Sequence, residues 1–104
     1  MNIPMPNKRT MSDGWESVLQ REERKARKRY RCDAYALWLR EEASINDCET
    51  VEQKAVVEIM RARDGWIAIG ERYLYVCGRI DGELETWRAN LEMNKVCKEL
   101  GFYD

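Results

Sequence analysis

The sequence contains no histidine, and its four cysteines lie far apart without a C-x-x-C motif. Zinc sites usually draw on closely spaced cysteine and histidine ligands, so this pattern argues against a metal centre. The sequence also lacks a phosphate-binding loop, a histidine base and a serine in a nucleophile motif. We therefore expect a protein that is not an enzyme, with no catalytic residues, no metal and no cofactor.

Long apolar runs are missing as well. No segment approaches the ~18–20 apolar residues that a membrane span needs, and the first residues lack the apolar core of a signal peptide. Cysteines in a reducing compartment stay unpaired and behave as small buried apolar residues. These features predict a cytoplasmic protein that has no contact with membranes.

The strongest pattern in the chain lies between residues 66 and 100. On a helical wheel, nine apolar residues fall in one wedge, at spacings of three and four: Trp66, Ile69, Tyr73, Val76, Cys77, Ile80, Leu84, Trp87 and Leu91. A second apolar set lies on the opposite side, which is typical of a helix sandwiched between neighbours. Together with predicted helices at 13–44 and 51–63, this pattern predicts an all-α fold. The expected architecture is a small bundle of three to four helices with one long C-terminal helix.

An α+β fold with a β-hairpin around residues 66–87 is the alternative. Residues 72–77 are rich in strand formers, and Asp81-Gly82 is a dipeptide that type I′ hairpin turns prefer. The argument against the hairpin is that apolar residues would occupy both faces of its first strand, without the alternation of a half-buried strand.

Local signals mark the other boundaries. Residues 1–11 carry both prolines and no periodicity, so we expect a flexible N-terminal arm followed by a single helical domain at 12–104. Thr50 and Gln53 match a capping box at the start of the second helix. Asp64-Gly65 is a typical helix end, because glycine tolerates a left-handed backbone.

A basic segment between positions 24 and 31 is the clearest candidate for a binding site. Its six cations are Arg24, Lys25, Arg27, Lys28, Arg29 and Arg31. Spread around a helix, they would suit contact with a phosphate backbone. The competing interpretation is a solvated face, or one that contacts an acidic protein surface. Trp15, which lies between the arm and the charged segment, is a second candidate contact residue.

Two functions are consistent with these features. The first is a non-catalytic helical protein that binds an unidentified protein partner as an inhibitor, adaptor or regulator. In size, lack of histidine and lack of catalytic equipment the chain resembles many small accessory proteins of phages and mobile elements. The alternative is a nucleic-acid-binding accessory protein that uses a basic helix at residues 24–31.

Self-association is a further expectation. A long helix with two apolar sides would leave a patch uncovered, and two-fold dimers commonly close such patches. The sequence therefore predicts a homodimer, and the candidate contact residues are Leu74, Gly78, Gly82, Met93 and Leu100.

Overall fold

A computed structural model describes residues 17–103 of the chain. In order, its elements are β1 (Ser17–Lys25), β2 (Tyr30–Arg31), α1 (Asp33–Arg40), α2 (Val51–Ala62), β3 (Trp66–Ile67), β4 (Arg72–Ile80), β5 (Glu83–Asn90) and α3 (Leu91–Glu99), with a 3-10 turn at Ile45–Asp47 between α1 and α2. β1, β4 and β5 form an antiparallel sheet in the order β1-β4-β5, and β2 pairs with β3. The protein is therefore a mixed α+β structure, and the predicted all-α bundle is wrong.

The predicted long C-terminal helix is a hairpin followed by a short helix. β4 and β5 are joined by Asp81 and Gly82, whose φ angles of 53° and 83° are those of a type I′ turn. The backbone twist of a type I′ turn matches the twist of the two strands that it joins. The two-residue turn at Asp81 and Gly82 therefore sets the register of the hairpin. The alternative prediction, an α+β fold with a β-hairpin, thus describes this segment. The sequence predicts the hairpin around residues 66–87, and its strands lie at Arg72–Ile80 and Glu83–Asn90.

The helices cover one face of β4, and the other face is buried at Tyr73 and half-buried at Tyr75 and Cys77, which explains why its apolar residues do not alternate. Leu74 and Val76 lie on the face that packs against the helices, and Val76 pairs with the buried Trp87. Tyr73 lies on the other face and is buried beside Tyr30, 5.4 Å away between ring centroids. A strand that is buried on both faces reads as a continuous apolar run, and here its residues also fit a helical wheel.

The predicted first helix, 13–44, is also wrong over most of its length. Residues 17–25, of which the last five are charged, form β1, and the helix begins only at Asp33. Residues of this composition favour a helix locally, but pairing with β4 over Ser17–Lys25 decides the conformation. Because β1 is an edge strand whose residues are largely exposed, it carries no apolar pattern that would reveal it.

The second helix agrees with its prediction. The side-chain oxygen of Thr50 accepts a hydrogen bond from the Gln53 amide at 3.1 Å, and the Gln53 side chain accepts one from the Thr50 amide at 3.2 Å. This reciprocal pair is the expected capping box. After α2, Asp64 and Gly65 adopt positive φ angles of 55° and 79°, which end the helix as predicted.

The core lies between the sheet and the helices. α3 begins directly after β5, and the Asn90 side chain caps it by accepting a hydrogen bond from the Met93 amide at 2.8 Å. Met93 and Cys97 on this helix are fully buried. The Trp87 ring from β5 meets Tyr103 edge-on at 5.9 Å. One continuous apolar core thus joins all three helices to the hairpin.

The two edges of the sheet differ. At the β5 edge, the Arg88 amide donates to Asp33 Oδ2 at 2.8 Å, and the Asn90 amide donates to Cys32 Sγ at 3.3 Å. The start of α1 therefore covers this edge. β1 forms the opposite edge and presents mostly charged side chains, which natural proteins use to discourage unwanted strand pairing.

The premise of the predicted homodimer does not hold. Leu74 and Met93 are 6% and 0% exposed, so neither can contact a second copy of the folded chain. Gly78 is buried in β4, Gly82 forms the hairpin turn, and Leu100 packs partly against the core. These five residues share no helix face. Trp15 and the predicted arm at residues 1–11 lie outside the described residues.

Candidate functional site

The basic segment does not form a helix. Arg24 and Lys25 end β1, Arg27, Lys28 and Arg29 lie in the loop that follows, and Arg31 belongs to β2. The predicted basic helix at residues 24–31 is therefore wrong in conformation. The loop nevertheless keeps the six cations together at one end of the sheet, because β1 and β2 are separated by only four residues.

A cavity of about 680 Å³ lies beside this loop. The end of β1 and the loop contribute Arg24, Lys25, Ala26 and Arg27 to its lining, and the remaining lining residues are Tyr30, Ile69, Gly70 and Tyr73. We call this cavity the basic groove. It combines three cationic side chains with apolar and aromatic ones.

Backbone hydrogen bonds hold the groove in shape. The Ala26 amide donates to the Glu71 carbonyl at 2.8 Å, and the Gly70 amide donates to the Ala26 carbonyl at 2.7 Å. Ala26 itself is only 3% exposed. The loop after β1 is thus tied to the turn before β4, so the groove exists before any ligand binds.

The Glu71 carboxylate connects this turn to two other elements. It accepts hydrogen bonds from Arg63 Nη1 at 2.9 and 2.8 Å, from Asn90 Nδ2 at 2.8 Å and from the Ala68 amide at 3.1 Å. These charge-assisted bonds link the end of α2, the end of β5 and the turn that lines the groove.

Cations and tyrosine rings alternate along the adjacent sheet face. The Arg24 guanidinium lies 3.7 Å from the centroid of Tyr75, and Arg88 lies 5.4 Å from Tyr75 and 4.5 Å from Tyr30. Lys28 lies 5.6 Å from the Tyr30 centroid. The Arg88 Nε is buried with no hydrogen-bond partner among residues 17–103, so ring contacts orient this guanidinium.

Trp66 orients two further arginines. It pairs with Arg31 across the β2–β3 ribbon, and the guanidinium groups of Arg29 and Arg31 lie 4.3 and 4.2 Å from its ring. Arg31 also donates to the Asp64 carbonyl at 2.8 Å. A ring contact holds a guanidinium without using its N–H groups, so those of Arg29 stay available to an anionic ligand.

Most cations of the segment have no acidic partner in the described part of the chain. Arg24 is paired with Glu22, and this hydrogen bond lowers the pKa of the Glu22 carboxyl and raises that of Arg24. Arg31 lies 4.0 Å from the Asp64 carboxylate. Within residues 17–103, the side chains of Lys25, Arg27, Lys28 and Arg29 form no ion pair. The groove and its loop therefore carry an excess of positive charge.

Other chemistry has little support in the described structure. No cluster of three or more metal-ligating side chains occurs among residues 17–103. Burial raises the pKa of the Cys32 thiol to about 11 and that of Cys97 to about 12, so both stay protonated at neutral pH. Both thiols are also buried, so they have neither the exposure nor the lowered pKa that is typical of reactive cysteines. The described helices are also too short or too polar to cross a membrane.

Comparison of the chain with profiles of known families, with curated proteins and with solved structures finds no match. The fold and the groove themselves are therefore the basis for a function. They define a small α+β protein with a preformed, positively charged groove next to a surface of stacked arginine and tyrosine side chains.

The sequence indicated the cations of the groove but not their partners. Trp66, Tyr75 and Arg88 lie more than thirty residues from the basic segment, and strand pairing brings them to it. The signal for Tyr75 was present in the alternative hairpin, where residues 72–77 read as a strand. No local pattern marked Arg88, because its role depends on the register of β5 with β4.

Proposed function

We propose that the protein binds nucleic acid through the phosphate backbone, without catalysis, and that the basic groove and its loop are the binding site. The observation that carries this proposal is a set of four cations, Lys25, Arg27, Lys28 and Arg29, that have no acidic partner among residues 17–103. Lys25 and Arg27 line the groove, and Lys28 and Arg29 follow in its loop. Phosphate contacts supply most of the affinity of proteins for nucleic acid.

Three features support a phosphate ligand over an acidic protein surface. The guanidinium of Arg29 is oriented by Trp66, which leaves its planar set of donors free to bind two oxygens of a phosphate. The cations follow one another along a strand and a loop, as the charges of a phosphate chain do. The exposed acidic residues of α2, Glu52 and Glu58, are not among the residues that line the groove.

The sequence favours a protein partner, whereas the groove of the described structure supports nucleic acid as the ligand. A protein partner was inferred from Trp15 and from the charge of the chain, and nothing in residues 17–103 adds to that inference. A cytoplasmic location belongs to the same proposal, since nucleic acid is available there. The four cysteines, all of which are unpaired, are consistent with a reducing compartment.

The proposal is tested by the salt dependence of binding. We expect the protein to bind a labelled oligonucleotide and the logarithm of the affinity to fall linearly with the logarithm of salt concentration between about 50 and 200 mM. The double variant R27E/K28E should bind much more weakly, with a salt slope reduced by about 1 for each phosphate that the variant no longer binds. Fluorescence anisotropy measures both quantities.

A matched control separates the groove from overall charge. K54E/K98E makes the same change in net charge on α2 and α3, where both lysines are exposed. This variant should keep most of the affinity and an unchanged slope. Equal losses in the two variants would contradict a site at the groove, and an absence of binding by the wild-type chain at low salt would reject the proposed function.

A further inference from the structure

The basic groove has two kinds of lining, and phosphate contacts use only one of them. Lys25 and Arg27 supply cations, whereas Ile69 and Tyr30 supply apolar surface. Ile69 is 68% exposed, whereas the nearby Ile67 is fully buried. A ligand that offers phosphates alone would leave this apolar part of the groove without a contact.

The two linings match the two parts of an unpaired nucleotide. In a duplex the bases are stacked inside the helix, and the backbone presents phosphates and sugars to a surface cavity. In a single strand the bases can turn out and lie against aromatic or apolar side chains while the phosphates meet cations. A cavity of about 680 Å³ is in the size range of pockets that hold small molecules, which corresponds to roughly one or two nucleotides.

The apolar side of the groove is rigid. The Tyr30 ring is held by Tyr73 at 5.4 Å and by Arg88 at 4.5 Å. Gly70, whose φ of 88° only glycine adopts easily, follows Ile69 and is bonded to Ala26. A Cβ at Gly70 would meet nothing within 4 Å, so the space beside the backbone here is open to a ligand.

We propose that the ligand of the basic groove is a single strand, with phosphates on Lys25 and Arg27 and an unstacked base against Ile69 and Tyr30. This inference rests on the proposed function and names the form of nucleic acid that the same site accepts. DNA and RNA strands share this chemistry, because both the phosphate chain and an accessible base are present in each.

The test compares four probes: oligothymidine, oligouridine, an abasic strand of the same length and a DNA duplex. We expect tighter binding of the two single strands than of the abasic strand or the duplex. I69S should weaken single-strand binding about five- to tenfold, which is the effect of removing the surface against which one base packs. Its salt slope should stay unchanged, since the cations that bind phosphates are all retained, and the abasic strand should bind equally to both proteins.

The control is L84S, which removes an equally exposed apolar side chain, 60% accessible, from β5 near the hairpin turn. It should leave all four affinities unchanged. Duplex binding as tight as single-strand binding, together with no effect of I69S, would overturn this inference and leave the proposed function standing. If none of the four probes binds, both are rejected. Different affinities for oligothymidine and oligouridine would support the inference and identify which strand the groove prefers.

Discussion

Glu71 lies in the turn before β4 and connects this turn to two other parts of the fold. Its carboxylate accepts hydrogen bonds from Arg63 on the loop after α2 and from Asn90 at the end of β5. Asn90 in turn caps α3, so one carboxylate supports both the groove and the start of a core helix. Its side chain is 23% exposed, which limits competition from water.

We predict that Glu71→Gln lowers the free energy of unfolding by about 1.5–3 kcal/mol, because the amide loses charge-assisted bonds and turns a donor towards other donors. Chemical denaturation measures this loss. The control is Glu58→Gln, which removes an exposed ion pair with Arg61 on α2 and should cost no more than about 0.5 kcal/mol. Similar losses in the two variants would show that Glu71 has no special structural role.

At the scale of elements, the hairpin turn and the groove are separate. Asp81 and Gly82 close the end of β4 that is far from Arg72, whereas the groove lies at the other end of that strand. A Cβ at Gly82 would meet no atom within 4 Å, so its substitution tests the backbone conformation alone.

We predict that Gly82→Ala lowers stability by about 1–2 kcal/mol, since its φ of 83° is unfavourable for a residue with a Cβ. Gly82→Asn should cost less, because asparagine tolerates this region. Thermal denaturation ranks the three proteins. Oligonucleotide binding should be unchanged in both variants at a temperature where they are folded, and a loss of binding would contradict the separation of turn and groove.

The elements differ in how far they can be predicted from the sequence. α2 is predictable because its capping box and its terminal glycine are local signals. β4 and β5 are ambiguous, since residues buried on both faces of a strand also fit one side of a helix. β1 is not predictable, because its residues carry no apolar pattern and only pairing with β4 makes them a strand. The candidate site follows the same division: Arg27 and Lys28 are visible in the sequence, and Ile69 and Arg88 become part of the site only through tertiary structure.

The whole molecule has almost no net charge, yet its charge is unevenly distributed. Residues 1–31 hold nine lysines and arginines and four acids, whereas residues 32–104 hold nine and fifteen. Each helix has as many basic as acidic residues, and part of the acidic surplus lies in the segment between α1 and α2, at Glu41, Glu42, Asp47 and Glu49. This acidic segment would repel a polyanion, so the field of the protein favours entry at the groove.

The buried ionisable groups of the core predict a loss of stability in alkali. Burial raises the pKa of Cys97 from 9.0 to about 12 and that of Cys32 to about 11, and it also raises the pKa of the Tyr103 hydroxyl. These groups ionise more readily in the unfolded chain than in the folded one. The stability that they contribute is therefore complete below about pH 9 and is lost as the pH rises towards about 12.

We expect urea denaturation to show a steep decrease in the free energy of unfolding between about pH 9 and pH 11. Cys97→Ala removes one buried thiol and should make this decrease less steep, even though it lowers stability at neutral pH by opening a small cavity. A slope that is the same in the variant and in the wild type would contradict a raised pKa for Cys97.

The position of β1 in the sheet determines when the protein can fold during synthesis. Ser17 pairs with Arg79 and Lys25 with Arg72, so β1 leaves the ribosome long before its partner strand exists. β4 can pair with β5 through the short hairpin, but the long segment between β1 and β4 must close before β1 gains a hydrogen bond, which makes this pairing a late and slow step. Throughout that interval β1 has no partner strand, and its charged residues, Arg21 to Lys25, keep it from pairing with other nascent chains. The charged residues that make β1 resemble a helix in the sequence thus protect it from pairing with other chains until β4 emerges.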